Sequence, residues 1–328
     1  MSLPFQTKKH LTYIIAEAGS NHNQKIDRAK ELIDVATQAG ADAIKFQLFK
    51  AQNLYKEDHP AFDIVKQCEF PREWMNEITT YCKQKDITFL ASPFDTEAIQ
   101  LLKDYNCPAI KMASSETTNI PLLIDAAKTE LPIILSTAMS NLADIYEAIE
   151  AIQNTSSSHI TLLQCTGLYP TNPEDVHLNV LDQLKAAFQL PIGFSDHTLG
   201  THIPLAAVAK GAQVIEKHFT LDRNLEGPDH SYAIEPDELI KMVQDIRDIE
   251  SALGTPKKVM LTEESKVARR ESIITTQQLN SGDTITPDKV KVDRPGTGIP
   301  ARFLTGLTNR KLNKDIPENT PITWDDIA

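Results

Sequence analysis

Short β-branched apolar runs alternate with amphipathic stretches along most of the chain. The runs are YIIAEAG (Tyr13–Gly19), AIKFQLF (Ala43–Phe49), ITFLASPF (Ile87–Phe94), AIKMASS (Ala109–Ser115) and PIILSTAM (Pro132–Met139). ITLLQCTG (Ile160–Gly167), PIGFSDHT (Pro191–Thr198) and VIEKHFTL (Val214–Leu221) complete the series. Between them, segments such as DRAKELIDVATQAG, REWMNEITTYCKQK and NVLDQLKAAF repeat apolar residues at i, i+3 and i+4, the spacing of one helix face. Eight strand–helix units before Ala252 predict an α/β fold, a closed TIM (β/α)8 barrel in preference to an open doubly wound sheet. No GxGxxG or GxxxxGK loop follows any run, which weakens the nucleotide-binding alternatives. Residues Tyr55–Pro71 form a long insertion after the second run, read either as a functional lid or as a solvated excursion.

After Gly254 the pattern breaks. Residues 255–271 are polar and basic and read as a linker or an exposed helix. From Ser272 the chain is β-like, with turn signals at Ser281-Gly282-Asp283 and Arg294-Pro295-Gly296. It also repeats itself: LNSGDTITPDKV (Leu279–Val290) aligns without gaps on IPENTPITWDDI (Ile316–Ile327). The expected organisation is a catalytic barrel over 1–254, a linker over 255–271 and a small pseudo-symmetric β domain over 272–328. At roughly 57 residues that domain has a marginal core by itself, so it is expected to dock on something.

Composition narrows the function classes. The 328 residues are 41% hydrophobic and 24% charged, as in soluble globular proteins. No apolar run reaches membrane-spanning length, and MSLPFQTKKHLT lacks the apolar core of a secretory signal, so a cytoplasmic protein is expected. A net charge of −12 argues against nucleic acid or anionic membrane as partner. A small anionic substrate remains open, because local Lys, Arg and backbone N–H groups can reverse the sign inside one pocket. Cys68, Cys82, Cys107 and Cys165 form no CxxC pair and read as reduced, mostly buried thiols.

In such a barrel the functional residues belong at the C-terminal ends of the strands. Those ends are polar here: Glu17 with Asn21 and His22, Lys45 with Gln47, Ser92, and Lys111 with Ser114, Ser115 and Glu116. Ser136, Tyr169, Ser195 with Asp196 and His197, and Glu216 with His218 continue the series. Strand alternation puts Glu216 and His218 on one face and Lys217 and Phe219 on the other. With His218 in the mouth, Lys217 points outward, where its stem can snorkel. Neighbouring strands run about 4.8 Å apart, so His197 and His218 can converge on one divalent metal such as Mn²⁺, Zn²⁺ or Co²⁺. Taken singly, each histidine reads better as a hydrogen-bonded core residue; it is the pair at neighbouring strand ends that points to a metal. Lys45 and Lys111 sit among strand-like apolar residues, where an uncompensated charge is costly. With Ser92, Ser114, Ser136 and Ser195 they suggest a phosphate or carboxylate cradle; the alternative is a structural network with Glu17 or Glu116.

These residues resemble the sialic acid synthase family, through IIAEAGSNHN, AIKFQ, FLASPFD, IKMASSE, PIILSTAM, FSDHTLG, VIEKHFTLD and GPDH, in order along nearly the whole chain. VDRPGTGI matches the family's antifreeze-like (SAF) domain, a β-clip. The resemblance implies condensation of phosphoenolpyruvate with the open-chain aldehyde of an N-acylated hexosamine, typically N-acetylmannosamine, with release of phosphate. It implies that His197 and His218 bind Mn²⁺ or Mg²⁺, and that Glu116 holds or deprotonates the attacking water. It further implies phosphoenolpyruvate contacts from Lys45, Lys111, Ser92, Ser114, Ser136 and Ser195. Glu17, Gln47, Tyr169, Glu216 and Asp229 would meet the sugar, and Arg294 its acyl end from the partner of a domain-swapped homodimer. The chain departs from the pattern at Gly167, where a polar residue is usual, at Ser115, where glycine is common, and at Tyr232, which is bulky and either inside or outside the pocket. These departures leave the acceptor open between N-acetylmannosamine and the diacetamido hexoses that lead to legionaminic or pseudaminic acid. Phosphoenolpyruvate aldolases that make seven- or eight-carbon keto acids lack the appended β domain. A non-catalytic sugar- or ice-binding protein would show a decayed barrel mouth.

Overall fold

Eight parallel strands form the ring: β1 (Tyr13–Gly19), β2 (Ala43–Leu48), β3 (Thr88–Pro93), β4 (Ile110–Met112), β5 (Ile133–Ser136), β6 (Ile160–Cys165), β7 (Ile192–Asp196) and β8 (Val214–His218). The structure is a computed structural model that describes residues 3–6, 11–266 and 270–328. Residues 267–269 of the expected linker, and 1–2 and 7–10 of the N-terminal stretch, lie outside the described residues. Hydrogen bonding runs in the order β3-β2-β1-β8-β7-β6-β5-β4, and β3 and β4 lie side by side, so the barrel is nearly closed. Two compact units divide the chain, Met1–Gly254 and Thr255–Ala328.

The helices of the first unit are α1 (Ile26–Gln38), α2 (Ala51–Leu54), α3 (Phe62–Gln67), α4 (Met75–Gln84), α5 (Thr96–Asp104), α6 (Ile120–Ala127), α7 (Leu142–Thr155), α8 (Val180–Phe188), α9 (His202–Ala209) and α10 (Pro236–Leu253). Their buried stripes follow the expected period. Ala29, Leu32, Ile33 and Ala36 of α1, and Ile145, Ala148, Ile149 and Ile152 of α7, face the outside of the strands. The insertion supplies α3, and α2 directly precedes it. It is tied down at its end, where Glu69 accepts from the Ala51 N–H (2.6 Å) and Gln24 donates to the Lys66 carbonyl (2.9 Å). Residues 52–60 are exposed.

His22, grouped by sequence with the polar mouth, is packed among Phe46, Phe70 and Trp74. Its Nδ1 accepts from the Gln24 N–H (3.0 Å), and burial holds its pKa down to about 4. The unfolded chain therefore takes up a proton near 6.5 that the folded chain refuses until about pH 4. The stabilising contribution is complete above 6.5 and is lost on acidification toward 4, by about 3 kcal/mol. Denaturant unfolding at several pH values should show His22→Phe flattening the slope in that window. An unchanged slope would refute the assignment.

Pleat alternation sorts the strand residues into two sets. Ile14, Ala16, Ile44, Phe46, Ala91, Ile110, Leu135, Phe194 and Ile215 pack outward against the helices. Tyr13, Ile15, Ala43, Leu90, Ala109, Ile134, Leu163 and Val214 fill the lower barrel with Leu3 and Phe5. The inward positions one pleat further on are Glu17, Lys45, Ser92, Lys111, Ser136, Cys165, Ser195 and Glu216. The barrel thus carries an apolar plug below and a polar layer above. Gly193 belongs to the plug: a Cβ there would meet Leu163 Cδ2 and the Val214 carbonyl at 2.5 Å.

The second unit pairs β9 (Ser272–Thr275) antiparallel with β10 (Val290–Asp293) around a core of Ile273, Leu279, Ile285, Val290, Ile299, Leu307, Leu312, Ile316 and Ile322. Leu279 and Ile316, equivalent positions of the internal repeat, bond to each other in both directions (2.9 and 2.7 Å). Ile285 and Ile322, also equivalent, are both fully buried. Like pairing with like is what a pseudo-twofold axis requires.

Candidate active site

A cavity of about 310 Å³ opens at the C-terminal ends of the strands. Its lining includes Glu17, Lys45, Gln47, Ser92, Lys111, Ser114, Ser136, Tyr169, Ser195, His197, Glu216 and His218. Strand register brings these groups together, because Glu17 sits opposite Lys45, Gln47 opposite Ser92, and Ser195 opposite Glu216. Lys45 Nζ lies 2.9 Å from Glu17 Oε2 and donates to Ser92 Oγ at 3.1 Å. Lys111 Nζ donates to Ser136 Oγ at 2.7 Å and lies 3.6 Å from Glu216 Oε1. Ser195 donates to the same Glu216 oxygen at 3.0 Å, and Gln47 to Glu17 Oε1 at 2.9 Å. Ser114 Oγ accepts from the Ala138 N–H at 3.0 Å.

The two carboxylates are driven apart. Burial raises Glu17 above the usual carboxyl range, more than Lys45 lowers it. Burial would also raise Glu216, but Lys111 and Lys45 together hold it well below that range. Lys45 keeps its charge despite burial because Glu17 and Glu216 flank it, whereas burial lowers Lys111. Glu216 Oε2 has no partner among the described residues. The ionised Glu216 is thus shared by two lysines, one of which also pairs with Glu17.

His197 and His218 stand at the same rim, ring centroids 5.4 Å apart, with the Tyr169 ring tilted 34° against His197 at 4.0 Å. His197 Nδ1 is 2.7 Å from the Thr166 carbonyl oxygen, which only accepts, so Nδ1 carries the proton and Nε2 keeps its lone pair. Burial lowers the pKa of both histidines to about 4, so both are neutral imidazoles at pH 7. Neutral imidazoles held by their far nitrogen are the donor set that borderline divalent metals take. Among the described residues no third His, Cys, Asp or Glu converges with them, so the remaining ligands of an ion there would be water and substrate oxygens.

Other expected residues lie elsewhere. The Glu116 carboxylate is not in the cavity lining; it accepts from Ser115 Oγ (3.0 Å) and Asn119 Nδ2 (2.8 Å), at the start of α6. Asp229 also lies outside the lining, with one oxygen accepting from the Ser20 N–H and hydroxyl (2.9 and 2.8 Å) and the other from the Tyr232 hydroxyl (2.8 Å). Arg294 belongs to the second unit, exposed and directly after β10. Lys217 does point outward but does not snorkel: it is 1% exposed and ion-paired with Asp196 Oδ2 at 2.6 Å. Phe94, Met139 and Cys165 line the cavity without having been singled out. Phe94 and Met139 close two of the quoted runs and Cys165 ends β6, so strand-end position was the available signal. Met139 has a left-handed backbone (φ 58°), which no residue pattern announces. Gly167 is in the lining, and a Cβ there would make ordinary van der Waals contact with Met139 Cγ at 3.4 Å and Ala138 Cβ at 3.6 Å.

The NeuB family model matches residues 32–258, and the SAF domain model matches residues 270–328. An uncharacterized protein of Methanocaldococcus jannaschii, MJ1065, is 42% identical over 96% of this chain and 94% of its own length. The N,N'-diacetyllegionaminic acid synthase of Campylobacter jejuni is 39% identical over 93% of this chain and 98% of its own. The crystal structure of the N-acetylneuraminic acid synthetase from Leptospira borgpetersenii, in complex with citrate, superposes with a TM-score of 0.74 at 38% identity. That superposition covers 78% of this chain and 90% of the Leptospira chain.

Proposed function

The chain belongs to the NeuB family, and we propose on that premise that it condenses phosphoenolpyruvate with the aldehyde of an N-acylated hexosamine, releasing phosphate. The observation that carries this reading is the polar layer itself: two buried lysines share one ionised carboxylate beneath a cavity lined by serine hydroxyls. That arrangement suits a small phosphorylated or carboxylated anion. Lys45, Lys111, Ser92, Ser114, Ser136 and Ser195 would hold the phosphate and carboxylate, fixing the enol carbon above the rim. Gln47, Tyr169, Glu17 and the unpartnered Glu216 oxygen would receive the sugar hydroxyls.

His197 and His218 would hold a divalent ion, Mn²⁺ or Mg²⁺, which when bound supplies Lewis acidity toward an aldehyde oxygen. The water that adds to C2 must lose a proton as phosphate leaves. The family resemblance gives that task to Glu116, which is turned to Ser115 and Asn119. Glu17 is the lining carboxyl with raised basicity, suited to proton exchange near neutral pH. A domain-swapped homodimer, with Arg294 reaching the acyl end of the sugar, belongs to the same proposal. So does a cytoplasmic location, where phosphoenolpyruvate is made. No helix among the described residues is long and apolar enough to cross a membrane.

N-acetylmannosamine is the first acceptor to assay. A diacetamido hexose is the second reading, favoured by the identity to the Campylobacter synthase. Phosphate release from phosphoenolpyruvate with Mn²⁺ should appear with one of these sugars and not with unacylated mannose. Turnover with the diacetamido sugar alone moves the chain to the legionaminic or pseudaminic branch. Release with none of them, by folded protein, refutes the function.

A further inference from the structure

Tyr232 is 5% exposed and packs edge-on against both His218 (5.2 Å between centroids) and Tyr169 (5.3 Å). With His197 these rings form a closed box. Tyr232 donates its hydroxyl hydrogen to Asp229 Oδ1 at 2.8 Å, and its oxygen stands 3.5 Å from His218 Nδ1, long for a hydrogen bond. The other Asp229 oxygen is fixed by Ser20. The close approach depends on Gly19, which has φ +52° and where a Cβ would sit 2.6 Å from Asp229 Oδ2 and 3.5 Å from His218 Nδ1.

We propose that Tyr232, backed by Asp229, is a positioning residue that fixes His218 in the Nδ1–H tautomer and so presents the Nε2 lone pair to the cavity. The argument is one of hydrogen inventory. The phenol has a single hydrogen, and the carboxylate takes it. Only lone pairs then face His218 Nδ1, with an anion behind them, so Nδ1 must be the N–H. His197 reaches the same state by another route, through the Thr166 carbonyl. The two rim histidines thus show the same nitrogen to the cavity, one set by backbone and one by a phenol–carboxylate relay. The inference deepens the proposed function, since the lone pairs matter there as metal ligands.

The test is long-range ¹H–¹⁵N correlation of the ring nitrogens in metal-free protein, with Mn²⁺ binding measured separately by electron paramagnetic resonance. Wild-type protein should show His218 and His197 both as Nδ1–H. Tyr232→Phe keeps the ring packing and removes the hydroxyl. It should shift His218, but not His197, toward a tautomer mixture, and weaken Mn²⁺ binding about 10–100-fold. A wild-type His218 protonated on Nε2 overturns the proposal without any variant. So does a Tyr232→Phe protein whose His218 keeps Nδ1–H. Wild-type protein that shows both Nδ1–H signals yet binds no Mn²⁺ supports the relay and instead removes the metal from the proposed function.

Discussion

Lys111→Met is expected to lower folding stability by about 3 kcal/mol and turnover by about 10²–10³-fold. Lys111 is 2% exposed, with its ammonium held between Ser136 Oγ and Glu216. Its removal leaves an ionised Glu216 facing only Lys45, at 3.8 Å, and the Ser195 hydroxyl. Breaking a buried pair from one side costs about 3–5 kcal/mol; the remaining lysine keeps the loss at the lower end. Lys111→Met with Glu216→Gln removes the stranded charge and should regain most of the stability. It should regain none of the turnover, because the anion cradle stays half built. Denaturant unfolding and phosphate release measured on the same three proteins separate the two effects. A single variant with an unchanged KM for phosphoenolpyruvate would show that Lys111 is structural only.

His218→Ala is expected to reduce phosphate release by about 10³-fold or more, with His197→Ala close behind. Lewis-acid polarisation contributes several kcal/mol to a transition state that gathers charge on oxygen, and each 1.36 kcal/mol is a factor of ten. Both variants should also lose Mn²⁺ binding in protein that circular dichroism shows to be folded. Phosphate release at the wild-type rate from His218→Ala would remove the metal from the mechanism.

Much of this site was legible because the pleat has a period of two. Parity alone puts Glu216 and His218 on one face and Lys217 on the other, and β1 keeps the bounds read from YIIAEAG, Tyr13–Gly19. Parity does not say where a strand stops. AIKMASS contracts to Ile110–Met112, because its serines turn into a 3-10 segment over Ser114–Glu116 that carries Glu116 away from the mouth. Nor does it name partners. Lys217 looked free to snorkel because its neutraliser, Asp196, lies on another strand and is found only through the β7–β8 register. Asp229 and Tyr232 sit on a loop with no period, positioned by the left-handed turn at Gly19. The internal repeat of the second unit was readable because a twofold fold writes its symmetry into the chain directly.

The β7–β8 register carries a consequence for assembly of the barrel. Consecutive steps of that ladder join Ser195 to Glu216 inside and Asp196 to Lys217 outside. Sliding β8 by one residue would turn Lys217 into the mouth and Glu216 and His218 into the apolar helix layer, stranding charges on both faces at once. Apolar strands rich in Val and Ile would tolerate such an error far more cheaply. The charges proposed to serve catalysis therefore also act as a checksum on strand alignment: a misthreaded barrel fails to fold before it can fail to react.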